Sequence, residues 1–401
     1  MRADRRRGTA VLRVFSVPEF RALWFAHSLS LIGDQFARVA LAILVFDRTG
    51  SAGATAVTYS LTYVPAVVGG PLLSGLADRF PRRTVMVVAD VVRAVLVAAM
   101  ALPGMPFPVL CVLLVLVVLA NAPFNAARLA TMPDALEGDA YEAGLAVTSM
   151  TQQSVQLLGF GLGGVLVAAT SAQTALVIDA GTFAVSALVI GVGMRLRPAP
   201  SVRKTGTASG SMFAAMRLVW ADRRLRTLFV LGSAWGFYVV PEALAAPYAA
   251  EMGEGPAVVG VLMAADPLSG AVGAWLLVRW VPASVQARLI AVLPALCGAP
   301  LVLFALNPSL VPALGLLALS GLASAYLVSV HAAYVRAVPD DVRGGAVGLA
   351  SAGLLAAQGL AILLAGGVAQ LLDPGPTIAV FAAAGVAVSA VMGLGWHRLS
   401  R

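Results

Sequence analysis

Residues 108–127 read PVLCVLLVLVVLANAPFNAA, a stretch without a single charged side chain. A helix rises about 1.5 Å per residue, so this stretch is long enough to cross a hydrocarbon core of about 30 Å. It must be helical, because lipid cannot form hydrogen bonds with a bare backbone amide. The whole chain shares this character: 60% of its 401 residues are hydrophobic and 11% are charged, against about 25% charged in a typical soluble domain. The sequence therefore predicts a membrane protein.

Similar apolar stretches recur along the entire chain and predict twelve membrane spans, which we number 1 to 12. The spans are 20–46, 54–75, 84–102, 108–127, 142–169, 173–194, 225–248, 257–278, 289–305, 310–335, 344–372 and 377–396. The basic N-terminal segment resembles the start of a signal peptide, but no short apolar stretch with a small-residue cleavage site follows it. Span 1 is therefore expected to remain in the protein.

The positions of the basic residues predict the orientation in the membrane. Most of the 27 Lys and Arg residues lie near the termini, after even-numbered spans or in the segment 195–226, whereas the opposite loops hold only Arg48. The positive-inside rule then predicts that both termini lie in the cytoplasm. We expect the protein in the plasma (inner) membrane. In a soluble protein, a net charge of +8 would suggest binding to nucleic acid. Here the basic residues lie on one side of the membrane, so we expect no nucleic-acid partner.

A polar connection at 195–224, rich in Pro, Ser, Gly and basic residues, divides the spans into two blocks of six. Pro133-Asp134 recurs as Pro339-Asp340, and Gln156 recurs as Gln358, each about 200 residues later. Landmarks of different chemistry at a steady offset indicate an internal duplication. The predicted domains are an N-terminal six-helix bundle at 1–194, a cytoplasmic linker at 195–224 and a C-terminal six-helix bundle at 225–401.

The stretch GLADRFPRR, residues 75–83, places four formal charges between spans 2 and 3. It resembles the signature loop of the major facilitator superfamily, glycine-x-leucine-alanine-aspartate-arginine-x-glycine-arginine-arginine, whose members have two six-helix halves. Ser74 and Pro81 stand where that loop has glycine, and proline stiffens the turn by fixing φ. The resemblance implies that the aspartate pairs with the cytoplasmic end of span 11 and that the basic residues latch a cytoplasmic gate. The implied gate residues are Gly75, Asp78, Arg79, Arg82 and Arg83; alternatively, the arginines only anchor the loop at the interface.

Three further stretches narrow the resemblance within the superfamily. LIGDQ at 31–35, VFDRTGSA at 45–52 and ADVVRA at 89–94 are similar to the third drug:proton antiporter family, which includes macrolide and siderophore exporters. The resemblance covers all twelve spans. It implies an all-α membrane protein with two pseudo-symmetric six-helix bundles, the major facilitator fold, that exports a drug or secondary metabolite by proton antiport.

Few ionisable residues lie within the predicted spans, and each is a candidate for function because a charge near the bilayer centre costs about 2.5 kcal/mol or more. Asp34 and Arg38 lie one turn apart on the same face of span 1. Asp34 either pairs with Arg38 or takes up a proton or substrate. Asp90 and Arg93, three residues apart in span 3, are predicted to form a structural ion pair.

Two carboxyl groups stand in the second predicted bundle. Asp266 in span 8 has no basic residue within one helical turn, and a carboxyl group left alone in lipid is protonated much of the time, as a proton carrier must be. Glu242 lies near the outer end of span 7, beside Pro241. We expect water to reach it, which is typical of a gate or an entrance site.

Amide and glycine residues mark spans 5 and 11. Gln152 and Gln156 in span 5, with Gln358 in span 11, are predicted either to contact substrate or to form hydrogen bonds between helices. The stretch GFGLGG at 159–164 matches a dinucleotide-binding fingerprint in form only, because no strand precedes it. Its glycines predict close helix packing instead.

The remaining patterns exclude other classes of function. The single lysine, Lys204, does not follow the glycine pattern of a phosphate-binding loop, so the energy source is not ATP. The three histidines are scattered and predict neither an enzyme nor a metal site. We therefore expect a monomeric secondary transporter with no cofactor, whose partners are a small amphipathic molecule, protons and the bilayer. An importer, a facilitator, or a membrane sensor or assembly protein without transport remains the alternative.

Overall fold

The computed structural model describes residues 14–136, 138–198, 208–340 and 342–399. Within these ranges the chain forms helices and no strand, so the all-α prediction is confirmed. The helices, numbered in chain order, are α1 (Pro18–Thr49), α2 (Ala52–Ser60), α3 (Val64–Leu73), α4 (Leu76–Arg79), α5 (Arg82–Met100), α6 (Phe107–Ala135), α7 (Asp139–Ala169), α8 (Ala172–Gly193), α9 (Ala208–Ala221), α10 (Arg223–Ser233), α11 (Trp235–Tyr238), α12 (Val240–Ala243), α13 (Ala245–Glu251), α14 (Pro256–Trp280), α15 (Ala283–Leu289), α16 (Leu293–Val302), α17 (Leu310–Ser324), α18 (Tyr326–Ala337), α19 (Arg343–Val368) and α20 (Pro374–Leu399).

These helices follow the twelve predicted spans in order. In the described part of the chain, seven helices are long and apolar enough to cross a membrane, and they correspond to spans 1, 4, 6, 8, 10, 11 and 12. An eighth is formed by Arg223–Ala243 and Ala245–Glu251, taken together as span 7, and the shorter apolar stretch Leu293–Leu306 corresponds to span 9. The other three spans are α2 with α3, then α5, whose charged residues interrupt its apolar character, and α7, which is rich in Ser, Thr and Gln.

Span 7 is the most broken of the twelve. It consists of four short helices, α10 to α13, and it bends by 41° between Arg223–Ala243 and Ala245–Glu251. Pro241 and Pro247 lie on either side of that bend. Because proline has no backbone N–H and clashes with the preceding turn, it interrupts the ladder of helical hydrogen bonds.

The chain forms two compact units. Unit 1 comprises Met1–Leu44 and Pro65–Arg203, and unit 2 comprises Val45–Val64 and Lys204–Arg401. The boundary lies inside the predicted linker, 195–224. Unit 2 therefore contains a stretch from the predicted N-terminal bundle, which includes α2.

In unit 1, α5 packs along both α6 and α8. The apolar core gathers around the ends of these helices that adjoin the loop 75–83, and it includes Phe20, Met86, Phe124 and Met132, each at most 1% exposed. This packing fixes α5, and with it the charged residues that α5 carries.

In unit 2, α14 packs along α17, and α2 packs along α19. The contact between α2 and α19 is close, because a Cβ atom at Gly366 would lie 2.8 Å from the Cβ atom of Ala56. Helix α9, within the predicted linker, packs on α19 through Ala215 and Val219, both fully buried. Phe213, on another face of α9, is 73% exposed, a pattern typical of a helix lying at a membrane surface.

Candidate functional site

Arg93 of α5 is the centre of a buried polar cluster in unit 1. Its side chain is 2% exposed, and it forms an ion pair with Asp90 one turn earlier. A second guanidinium nitrogen, Nη1, donates a hydrogen bond of 3.1 Å to Oδ1 of Asn121. The guanidinium group lies 4.5 Å from the ring centre of Phe124 and 4.4 Å from that of Phe183. Cation–π contacts of this kind stabilise a cation that has lost its water.

Asp90 uses both carboxylate oxygens in this cluster. Oδ1 accepts from Arg93, and Oδ2 accepts a hydrogen bond of 2.6 Å from the hydroxyl group of Ser186 on α8. The carboxylate is fully buried. Further hydrogen bonds help to stabilise a buried ion pair. Here Ser186 donates one to the carboxylate and Asn121 accepts one from the guanidinium group, while Nε of Arg93 has no hydrogen-bond partner among the described residues.

A second carboxyl group, Asp179 of α8, lies against α1 at Gly33. A Cβ atom built on Gly33 would overlap Oδ1 of Asp179 and Oγ1 of Thr182, so only glycine allows this approach. Asp179 is 1% exposed. The hydroxyl group of Thr182 donates to the backbone carbonyl of Asp179 at 2.7 Å and lies 3.3 Å from its Oδ1 atom.

Asp34, the neighbour of Gly33, links the Asp90–Arg93 pair and Asp179 into one electrostatic cluster. As a residue Asp34 is partly buried, and its carboxyl group interacts electrostatically with Arg38, Arg93 and Asp179. The structure thus brings together the sequence-predicted residues of spans 1 and 3. It adds Asp179, which the sequence analysis did not select.

In unit 2, Asp266 of α14 is 8% exposed and faces α17. A Cβ atom built on Gly321 of α17 would overlap Oγ of Ser269 and the backbone carbonyl of Asp266, so the two helices touch at this point. The groups that act on the Asp266 carboxyl are the hydroxyl group of Ser320 and the carboxyl group of Glu242. Among the described residues, its Oδ1 atom has no hydrogen-bond partner.

A chain of buried polar groups extends from Asp266. The thiol group of Cys297 lies 3.4 Å from the carbonyl oxygen of Ser320 and 3.6 Å from its hydroxyl group. Tyr326 and Tyr238 interact electrostatically with that thiol. Tyr238 in turn is within 2.9 Å of the hydroxyl group of Ser389 on α20. Cys297, Tyr326 and Ser389 are fully buried, so this network joins α11, α16, α17, α18 and α20 to α14 away from water.

Glu242 is buried rather than open to water as expected, with 7% of its surface exposed. The hydroxyl group of Tyr59 on α2 donates a hydrogen bond of 2.9 Å to its Oε2 atom. Helix α2 covers this part of α12, because Val45–Val64 packs in unit 2. The sequence could not predict this contact, which joins residues far apart in the chain.

The charged loop between spans 2 and 3 is partly committed to contacts within unit 1. Arg82 donates at 2.6 Å to Oδ2 of Asp134 and at 2.6 Å to the carbonyl oxygen of Ala130, both on α6. Arg83 donates to the carbonyl oxygen of Gly191 on α8. The loop therefore ties together the ends of three helices. The remaining members of the motif, Gly75, Asp78 and Arg79, are exposed.

The glutamines occupy different surroundings. Gln152 is exposed, Gln156 is partly buried, and Gln358 on α19 is 8% exposed. The predicted close packing of α7 is confirmed, because a Cβ atom at Gly159 would lie 2.6 Å from Cβ of Gln35, and one at Gly163 would lie 3.2 Å from Val39.

Sequence reasoning gave no specific role to two residues of these sites, for different reasons. Asp179 is an acidic residue alone in an apolar span, which is by itself a signal of function. Tyr59 carries no such signal, because a tyrosine near a span end is ordinary in membrane proteins. Only the packing of α2 against α12 and α19 gives it a role.

Comparison with known proteins gives the family. The model of the Major Facilitator Superfamily matches residues 23–325. The multidrug efflux pump Tap of Mycobacterium tuberculosis is 29% identical over 369 residues, which cover 87% of this chain and 86% of that protein. The macrolide efflux protein A of Streptococcus pyogenes is 29% identical over 100 residues, covering 24% of this chain and 25% of that protein.

Solved structures agree on the fold. The nucleoside transporter NupG, as its D323A mutant, superposes with a TM-score of 0.75 at 13% identity, over 96% of this chain and 99% of that one. A bacterial homologue of the human lysosomal transporter Spinster, in an inward-facing and unoccupied conformation, superposes with a TM-score of 0.66 at 18% identity, over 98% and 96% of the two chains. At these identities the likeness concerns the fold alone.

Proposed function

Because this chain belongs to the Major Facilitator Superfamily, we propose that it is a secondary transporter that exports small amphipathic organic compounds, drugs among them, in exchange for protons. Export is supported by the relatives, which are named a multidrug efflux pump and a macrolide efflux protein. The family and these relatives are transporters, so we propose transport and no enzymatic reaction. The protein is multi-pass, and we place it in the cell membrane as a monomer with both termini in the cytoplasm.

The observation that carries proton exchange is the state of Asp266. Its carboxyl group is buried, one of its oxygens has no hydrogen-bond partner in the described part of the chain, and the charged group that acts on it is another acid, Glu242. A buried carboxylate in this position is strongly disfavoured unless a proton or a cation reaches it. Loading and unloading a proton at Asp266 changes the charge of unit 2 by one unit.

Alternating access gives that charge change a consequence. In a rocking transporter, a carboxyl group that is protonated from one side and released to the other couples proton flow to the conformational cycle. One proton moving through 100 mV releases about 2.3 kcal/mol, and a tenfold concentration ratio corresponds to about 1.4 kcal/mol. One-for-one exchange can therefore hold a neutral compound at roughly a fifty-fold ratio.

The loop between spans 2 and 3 fits the cytoplasmic gate of such a cycle. Arg82 and Arg83 hold the ends of α5, α6 and α8 together, while Gly75, Asp78 and Arg79 stay exposed. In this proposal the first two stiffen the loop and the exposed residues make and break the gate contact. Arg38, Gln152, Gln156 and Gln358 are proposed to contact the transported compound.

Proteoliposomes with an imposed pH gradient test the proposal. Radiolabelled erythromycin, a macrolide, serves as the probe, with a panel of other amphipathic antibiotics beside it. We expect gradient-driven accumulation by the unmodified protein, which falls in Asp266→Asn to the level reached without a gradient. Asp373→Asn, which neutralises an exposed acid of unit 2, is the matched control. Accumulation that ignores the gradient in the unmodified protein contradicts proton exchange and leaves a facilitator.

A further inference from the structure

Helix α9, which precedes span 7, exposes large apolar side chains. The helix packs on α19 and buries Ala215 and Val219 completely, whereas Phe213, Met216 and Trp220 are 73%, 40% and 52% exposed. These three residues are spaced by three, four and seven positions, so they form one stripe along the helix. We call this stripe, together with Arg217 on the same side, the α9 face.

Arginine residues give the α9 face a positive charge. Arg217 stands one turn after Phe213 and lines the same surface depression as Met216 and Trp220. Arg223 begins helix α10, directly beyond the end of α9, and its side chain is exposed like that of Arg217. Among the described residues, neither of these two arginines forms a salt bridge with an acid.

The acid at the corner between α9 and α10, Asp222, does not cancel this charge. Its Oδ1 atom accepts hydrogen bonds of 2.7 and 3.1 Å from two backbone N–H groups of α10 and so caps that helix. Arg224 lies 5.4 Å from the ring centre of Trp396, and Arg226 donates at 3.2 Å to the carbonyl oxygen of Trp220. Within residues 208–230, four arginines stand against one carboxylate, which leaves three positive charges.

A negatively charged lipid surface matches both properties of the α9 face. The apolar side chains of an interfacial helix enter the boundary between headgroups and acyl chains, the depth that tryptophan prefers. Guanidinium groups bind phosphate oxygens through paired hydrogen bonds, and the negative potential of a cytoplasmic leaflet attracts them further. A second copy of this chain, docked through the same face, would instead bring positive charge against positive charge.

We propose that the α9 face is a binding site for anionic phospholipids of the cytoplasmic leaflet. Acyl chains contact its apolar side chains, and Arg217 and Arg223 bind phosphate groups. Trp220 is held in position for this contact, because its ring centre lies 6.3 Å from that of Phe229. Phe229 in turn packs on Gly353 of α19, where a Cβ atom would lie 2.5 Å from its ring. The proposal does not depend on what the protein transports.

Lipids with brominated chains, which quench tryptophan fluorescence on contact, test the proposal in vesicles that hold the full protein. The vesicles contain phosphatidylcholine and phosphatidylglycerol in equal amounts, and only one of the two lipids carries bromine. The difference between the protein and its Trp220→Phe variant isolates the signal of Trp220. We expect stronger quenching of Trp220 when phosphatidylglycerol carries the bromine, and this preference should weaken at high salt.

Arginine substitutions separate the charge from the apolar contact. Each arginine near an anionic membrane surface favours association about fivefold, so Arg217→Gln combined with Arg223→Gln should remove most of the preference and make both lipids quench alike. Arg279→Gln is the matched control, because it removes an exposed arginine from the last turn of α14, a helix that packs on α17. It should leave the preference at Trp220 unchanged.

The unmodified protein alone is sufficient to overturn the proposal, so the test does not depend on the folding of any arginine variant. Equal quenching by the two brominated lipids contradicts an anionic preference. No quenching of Trp220 by either lipid means that protein rather than lipid covers the α9 face. A preference that survives the double arginine substitution, in a protein with unchanged circular dichroism and thermal unfolding, also contradicts the site.

Discussion

The buried carboxyl groups of the two units have different neighbouring groups. In unit 1, Arg93 lies between two aromatic rings and pairs with Asp90, so most of the charge is matched by fixed partners. In unit 2, the groups around Asp266 are hydroxyl groups, a thiol and a second acid. Matched charges hold helices together, whereas an unmatched carboxyl group is able to change its proton. In the proposed function, the matched charges of unit 1 stabilise the packing of its helices, and Asp266 of unit 2 exchanges the proton.

The largest loss of stability is expected when the buried ion pair of unit 1 loses one of its partners. Arg93→Met leaves Asp90 fully buried without its counter-charge, and we expect the free energy of unfolding to fall by about 3–5 kcal/mol. Thermal unfolding of the purified protein in detergent measures it. The double variant Asp90→Asn with Arg93→Met removes both charges and should recover most of the loss. Equal losses in the single and double variants count against charge matching as the cause.

The two units share one feature, a glycine that lets a neighbouring helix reach the carboxyl-bearing segment. Gly33→Ala and Gly321→Ala each place a methyl group where the structure has Asp179 or the backbone of Asp266. Such overpacking costs about 1–3 kcal/mol, so both variants should unfold earlier. Gly315→Ala, on the same helix as Gly321 with open space around it, is the control and should not destabilise the protein. A loss in Gly315→Ala as large as that in Gly321→Ala excludes close packing as the explanation.

A smaller loss of stability is expected at the contact between α2 and α12 in unit 2. Tyr59→Phe removes the hydrogen bond to Glu242, and we expect a loss of about 1–2 kcal/mol in the free energy of unfolding. A double-mutant cycle with Glu242→Gln isolates that contact from the other contacts of both side chains. A coupling energy indistinguishable from zero means that the hydrogen bond does not stabilise the fold.

The smallest effect is expected at the loop between spans 2 and 3. Arg82 and Asp134 are partly exposed, with side-chain exposures of 24% and 45%, and an exposed ion pair contributes about 1 kcal/mol or less. Arg82→Ala should therefore lower the unfolding temperature only slightly, and less so at high salt. A loss as large as that of Arg93→Met would mean that burial does not determine how strongly these ion pairs affect stability.

The sequence predicted the helices well because lipid leaves the backbone no alternative. An apolar run of span length has to form a helix, and the twelve runs occur in the structure in order. The breaks were less predictable. Pro241 and Pro247 explain the bend in span 7 once it is seen. Helix α9 lies within a polar linker, and it depends on burying Ala215 and Val219 against α19.

The candidate sites were predicted in part. Asp34, Asp90, Arg93 and Asp266 could be found because ionisable residues in apolar spans are rare and costly. Their partners could not, since sequence spacing shows which residues share a helix face but not which helix packs against that face. The contact of Gly33 with Asp179 joins α1 to α8 and is a property of tertiary packing alone.

Unit 2 is assembled from early and late parts of the chain, since Val45–Val64 completes a body formed mainly by Lys204–Arg401. In unit 2, α2 packs on α19 around Gly366. During synthesis, α2 leaves the ribosome long before α19 has been made. Contacts between such distant segments form slowly. A second half produced alone would present the bare surface of α19 to lipid or to another chain, so co-expression of the two halves, rather than expression of either one, is the route to a split version of this protein.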